Sequence, residues 1–244
     1  MPLQIRWFTP SWVQLRTGDT LLYIDPAYLQ AHFTSHPGHI QFSGWPDPID
    51  GLPDNLEAGD LVLVTHHHKD HAKKITVDRL KHAGTLVIAP KSCLKELGPG
   101  IRIVQAGEEI QFKDGHIRVV QAYNTESGSS TRKIHHKNQG VGYLVSAGGK
   151  TVYHAGDSDL IPEMLGLGKV DVALLPIGGT YTMDIEEAVQ AALTINPQVV
   201  IPIHHLEADP LEFKRKVESQ SDTRVILLQS GQEYCLMSLE DKLE

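Results

Sequence analysis

Three short apolar runs in this chain each end on histidine or aspartate, and that recurrence constrains the fold more than any other feature. Leu61-Val62-Leu63-Val64 leads into Thr65-His66-His67-His68-Lys69-Asp70-His71, Thr151-Val152-Tyr153-His154-Ala155 into Gly156-Asp157-Ser158-Asp159, and Val199-Val200-Ile201-Pro202-Ile203 into His204-His205. Short β-branched and aliphatic runs bounded by turn residues read as buried strands. In layered α/β folds ligands gather just past the ends of such strands, so polar residues from separate junctions can meet in space.

The densest junction is His66-x-His68-x-Asp70-His71. In extended chain, residues two apart point to the same side, which lets His66 and His68 converge on one ion. If the chain then turns into a helix, Asp70 and His71 are aimed at a second point nearby, as a pair of metals requires. Imidazole and carboxylate suit zinc, manganese or iron, and ligand type alone does not choose among them. His67, between the two ligands, is expected to face away. A carboxylate at Asp157 can bridge two cations, His204 is a further ligand, and His154 and His205 are read as structural or as supports for neighbouring ligands.

Further runs at Leu21-Ile24, Thr85-Ala89, Ile117-Ala122, Val141-Ser146, Val170-Leu175, Arg224-Leu228 and Glu233-Met237 also read as strands. A helix follows Asp184, whose carboxylate with Glu187 makes a capping-box-like start; Ile185, Ala188, Val189, Ala192 and Leu193 fall on one face until Asn196-Pro197. A second is capped by Asp209, with Pro210 in the first turn and Phe213 and Val217 inward. Ile75-His82 and Lys91-Leu97 are further helix candidates. Pro26 to Pro53 and Asn124 to Gln139 read as long active-site loops, and the absence of a separating linker points to one domain over residues 1–244.

Composition narrows the partners. Lys+Arg 22 against Asp+Glu 30 gives a net charge of −8, which disfavours nucleic acid. The 14 histidines are clustered, while Cys93 and Cys235 supply neither a disulfide framework nor a Cys-x-x-Cys site, so sulfur is not expected to hold a metal. No apolar run approaches the roughly 20 residues of a membrane helix. Met1 to Trp7 also lacks the apolar stretch of a secretion signal, so a soluble, cytoplasmic protein is expected.

The His-x-His-x-Asp-His motif, Gly156-Asp157 after Tyr153-His154-Ala155, Pro202-Ile203-His204 and Ile24-Asp25-Pro26 together resemble the metallo-β-lactamase superfamily. Tyr153 to Asp157 and the segment Leu175-Pro176-Ile177-Gly178-Gly179-Thr180-Tyr181-Thr182-Met183 look most like its ascorbate-6-phosphate lactonase-like (UlaG-like) branch. The likeness spans nearly the whole chain. It implies a four-layer αββα sandwich, with His66, His68, Asp70, His71, Asp157 and His204 as ligands to one or two Zn2+ or Mn2+ ions. The superfamily usually supplies another histidine after the strand that is Ile117-Ala122 here, but Tyr123-Asn124 follows. His136 is the first choice to replace it and His135 the second. The usual Gly-His-Ser near the start is replaced by Thr9-Pro10-Ser11-Trp12.

A bound cation lowers the pKa of water toward ~7 and so makes hydroxide available at neutral pH. The reaction expected is hydrolysis of a small ester, lactone or phosphoester, with Asp70, His71 and Asp157 as the catalytic group. Asp70 ligates and orients the nucleophile, the loops Pro26-Pro53 and Gly178-Met183 shape a small-molecule pocket, and Tyr181 and Thr182 are read either as hydrogen-bonding the substrate or as turn and capping residues. A phosphodiesterase or nuclease of the same fold, and a metal-binding protein without turnover, are the alternatives. The redox branch, with His-x-Glu-x-Asp-His and a flavin domain, is not matched, and a β-lactamase role is disfavoured because no export signal is visible.

Overall fold

The computed structural model describes residues 2–27, 56–113 and 115–236. Two compact units divide the chain, Met1–Val104 with Leu228–Glu244, and Gln105–Leu227, and each is built on one seven-stranded mixed sheet.

In the first unit, β1 (Leu3–Phe8), β2 (Trp12–Thr17) and β3 (Thr20–Ile24) form an antiparallel meander. β4 (Gly59–Leu63), β5 (Lys81–Pro90) and β6 (Arg102–Val104) continue it in parallel, and β14 (Glu233–Leu236) closes the far edge against β1. β3 is buried along its whole length, as a strand covered on both faces must be. Helix α1 (Lys74–Arg79) packs Val77 against a core that includes Trp12, Tyr23, Val62, Val64, Leu80 and Cys93.

The second unit repeats this plan. β7 (Glu109–Phe112), β8 (Gly115–Ala122), β9 (Gly140–Ala147) and β10 (Lys150–His154) run antiparallel. They are followed by parallel β11 (Val172–Pro176), β12 (Val199–Ile203) and β13 (Arg224–Val225). Pro162–Gly166 of this unit is 3₁₀, as is Lys91–Cys93 of the first unit, where α2 (Leu94–Leu97) is a single turn. In α3 (Ile185–Ile195) the Asp184 carboxylate accepts from Glu187 N at 2.9 Å, and the helix stops where Asn196 turns left-handed at φ 49° before Pro197. In α4 (Pro210–Glu218) Asp209 accepts from Leu211 N at 2.9 Å. Ala188, Val189, Ala192, Phe213 and Val217 pack with Tyr153, Ala173, Leu175 and Val200 in this unit's core.

Several expectations shift: β6 and β7 lie outside the runs read as strands, and the strand expected over Arg224-Leu228 is β13, Arg224–Val225. The helix expected over Ile75-His82 ends at Arg79, and His82 already lies in β5, since the buried Leu80 closes the helix with its N–H on Thr76 and Val77 carbonyls. β1 and β2 lie outside the runs read as strands because Leu3, Ile5, Trp7, Val13 and Leu15 alternate with Gln4, Arg6, Gln14 and Arg16. Apart from Pro26 and Ala27, the loop Pro26 to Pro53 lies outside the described residues, and so does Met237 of the last expected strand.

Candidate metal ligands in the two units

In the first unit the parallel pairing of β3 and β4 sets two chain exits side by side. Asp25 N donates to Leu63 O at 2.9 Å, and Asp25 takes the left-handed conformation, φ 50°. That conformation is rare outside glycine and marks a position held by its surroundings. Here the buried carboxylate receives three donors. Oδ1 accepts from Thr65 N at 2.7 Å, and Oδ2 lies 2.7 Å from both Thr65 Oγ1 and His71 Nδ1.

This arrangement fixes proton positions. An ionised carboxylate only accepts, so His71 carries its proton on Nδ1 and turns Nε2 to the other side, 3.6 Å from Asp70 Oδ2. Thr65 spends its one hydrogen on Asp25, so its oxygen, 3.0 Å from His66 Nδ1, accepts from that ring nitrogen. The lone pair of His66 is then on Nε2, which faces His68 Nδ1 at 3.0 Å. After His68 the chain turns, with His71 N and Ala72 N both donating to His68 O. His66, Asp70 and His71 are buried, and His67 and His68 are half-buried. The His66 and His71 rings lie 4.1 Å apart between centroids.

In the second unit three chain segments meet on Asp157, which follows β10 and the left-handed Gly156, φ 63°. Its Oδ2 lies 3.3 Å from His135 Nε2 and 3.5 Å from His204 Nε2, and all three side chains are almost fully buried. His204 directly follows β12 and is left-handed, φ 48°, as Asp25 is after β3. Gly178 approaches so closely that a Cβ there would stand 2.6 Å from His204 O. His136 is exposed, and His135 is the residue of that pair beside Asp157, so the order of preference between them reverses. The cause is a tertiary contact: Asn124 N donates to His135 O at 2.7 Å and its Oδ1 accepts from His135 N at 2.9 Å, which turns the His135 side chain inward.

The histidines set aside as structural have structural partners. His154 is fully buried and its Nδ1 accepts from Gly156 N at 3.1 Å. His205 Nε2 donates to Pro202 O at 2.7 Å, and burial holds its pKa below the ordinary imidazole value against the opposing pull of that carbonyl. Thr182 is fully buried, and the Tyr181 backbone carbonyl supports His135 Nδ1 at 3.1 Å. Sequence reasoning gave Asp25 no role and passed over Asn124 and Asp159. Asp25 carried a usable signal, an aspartate just past an apolar run, as at Asp157.

The profile of the β-lactamase superfamily domain matches residues 4–204. A UPF0173 metal-dependent hydrolase of Methanopyrus kandleri is 37% identical over 245 residues, covering 95% of this chain and 99% of its own. The chain belongs to this family, the UPF0173 metal-dependent hydrolases of the metallo-β-lactamase superfamily. A family member from Staphylothermus marinus is 37% identical over 186 residues, 72% of this chain and 77% of its own. Among solved structures, Igni18, a metallo hydrolase from the archaeon Ignicoccus hospitalis, matches with a TM-score of 0.75 at 28% identity, over 98% of this chain and 100% of that one. The α/β fold expected from the sequence is therefore the one found, and the protein is a metal-dependent hydrolase of the metallo-β-lactamase fold. Among the described residues no helix is long and apolar enough to cross a membrane.

Proposed function

We propose that this hydrolase has metal ligands in each unit, His66, His68, Asp70 and His71 in the first and His135, Asp157 and His204 in the second. Its substrate on this reading is a small ester, lactone or phosphoester, as in the ascorbate-6-phosphate lactonase-like branch. The observation that carries the reading is the paired orientation of His71 and His135. Each has Nδ1 on an oxygen acceptor, Asp25 for one and Asn124 with the Tyr181 carbonyl for the other, and each turns Nε2 to a buried carboxylate. Ligating histidines are held in this way, with the second nitrogen fixed by an outer partner. The donor set is nitrogen and oxygen throughout, which suits Zn2+ or Mn2+ in one or two ions per chain.

When bound, such an ion lowers the pKa of water and offsets charge that develops on the substrate oxygen. Asp70 accepts a hydrogen bond from the attacking water and takes up its proton, while Asp25 fixes the His71 ring with Nε2 3.6 Å from Asp70 Oδ2. Asp157, with Oδ2 3.3 Å from His135 Nε2 and 3.5 Å from His204 Nε2, would supply the carboxylate ligand beside the two rings. The net charge of −8 favours a small molecule over nucleic acid and is compatible with a cytoplasmic protein. Elemental analysis after separate reconstitution with zinc and manganese, joined to turnover on lactone, carboxylic ester and phosphoester panels, tests the reading. Two ions, or one, with turnover on one of these classes supports it, and protein that takes up no ion under either condition overturns it.

A further inference from the structure

His135 comes from an irregular loop, so its aim depends on what the loop is fastened to. We propose that Asn124, braced by the buried carboxylate of Asp159, is the positioning residue that fixes the ring and tautomer of His135 for metal binding. The inference rests on the ligand role proposed above for His135.

The geometry determines the amide orientation of Asn124. Its Nδ2 faces two groups that only accept, Asp159 Oδ1 at 3.2 Å and Tyr181 O at 2.9 Å, which uses both of its hydrogens. Its Oδ1 accepts from the backbone N of His135 at 2.9 Å and lies 3.2 Å from the ring Nδ1. The same ring nitrogen lies 3.1 Å from Tyr181 O. Both neighbours of Nδ1 are therefore acceptors, so the proton sits there and the Nε2 lone pair is turned to the Asp157 side. Tyr181 O is itself held by Asn124, so removing the amide loosens both acceptors at once.

Asp159 is fully buried and anchors the arrangement. Besides Asn124 it accepts from Thr125 N at 2.9 Å and from Lys133 Nζ at 3.1 Å. Lys133 also donates to Gly128 O at 2.5 Å and Ser130 Oγ at 3.0 Å, which fastens the loop between Asn124 and His135 onto the carboxylate. Gly128 is pressed so close that a Cβ there would stand 2.1 Å from Asp159 Oδ2. The chain thus supplies this histidine from a loop, with an amide two residues after Ala122 to hold it.

The test is a zinc titration against a competing chelator on metal-free wild type, Asn124→Ala, Asp159→Asn and His135→Ala, with melting temperatures of the metal-free proteins. Outer partners of metal-bound histidines are commonly worth about 10–100-fold in metal affinity. Asn124→Ala is expected to weaken one zinc by about that factor while any second zinc stays within a few-fold. Asp159→Asn, which keeps an acceptor for Asn124 Nδ2, is expected to weaken the same zinc by a smaller factor. If Asn124→Ala does not fold, Asp159→Asn carries the test. Unchanged zinc affinity in Asn124→Ala or, where only it folds, in Asp159→Asn, while His135→Ala loses zinc, overturns the positioning role alone. Unchanged zinc affinity in His135→Ala itself overturns the ligand role instead. A long-range 1H–15N spectrum of metal-free wild type is expected to show His135 protonated on Nδ1, and protonation on Nε2 alone overturns the tautomer argument whatever the zinc result.

Discussion

The two units solve one problem, how to aim buried imidazoles, with materials of different strength. In the first unit the candidate ligands come from one unbroken run, His66 to His71, and a buried carboxylate, Asp25, orients His71 through a hydrogen bond of 2.7 Å. In the second, His135, Asp157 and His204 come from three separate segments, and a neutral amide holds His135 at 3.2 Å. Charge-assisted hydrogen bonds are shorter and roughly twice as strong as neutral ones. The first arrangement is therefore held by the stronger bond, across two paired strands, whereas the second depends on loops without such pairing. Both place a non-glycine residue in the left-handed conformation at the end of a parallel-paired strand, Asp25 at φ 50° and His204 at φ 48°.

The largest expected effect asks whether the two units contribute equally to turnover. Asp70→Ala and Asp157→Ala should each lower kcat by about 10²–10⁴-fold, the range for losing a positioned proton acceptor or an equivalent polar group. Steady-state kinetics on an identified substrate checks this, and an Asp70→Ala protein with full turnover would sink the assignment of the first unit.

His135→Ala and His136→Ala probe the second unit's loop. Metal analysis should show the first variant losing an ion or binding it far more weakly, with the second within about twofold of wild type because His136 is exposed. Equal losses would mean that the two side chains exchange places.

Stability sharpens the contrast between carboxylate and amide. Asp25→Ala leaves Thr65 N, Thr65 Oγ1 and His71 Nδ1 without their buried acceptor, and should cost about 3–5 kcal/mol. Asn124→Ala removes neutral bonds and should cost about 1–3 kcal/mol. Urea unfolding of the metal-free proteins measures both. Thiol labelling reports on the first unit separately. Burial pushes the Cys93 thiol up to about 12, so at pH 8 it stays neutral and inert while the exposed Cys235 reacts. Asp25→Ala should speed labelling of Cys93 and Asn124→Ala should leave it unchanged.

The smallest effects belong to the helix caps of the second unit. Asp184→Ala and Asp209→Ala should each cost about 1 kcal/mol, read as a small fall in the urea midpoint, with metal content unchanged. A loss of metal in either would show that the helices reach the ligands.

Much of this was legible in the sequence because it depends on neighbours along the chain. The spacing in His66-x-His68-x-Asp70-His71, the apolar runs leading to Asp157 and His204, and the caps at Asp184 and Asp209 are set by strand period, helix period and side chains a few residues apart. The weaker reading at β1 and β2 has the same origin, since alternating Gln and Arg dilute the apolar signal. What only tertiary structure decided is orientation in irregular chain. His135 and His136 are the same residue one step apart in a loop without period, and nothing local distinguishes them. Asn124, eleven residues earlier, selects His135 by bonding its backbone and ring. Asp25 reaches Thr65 and His71 because β3 and β4 lie side by side in the sheet. Sequence patterns encode which side chains share a face, but the direction of a ring nitrogen is set by the acceptor that folding brings to it.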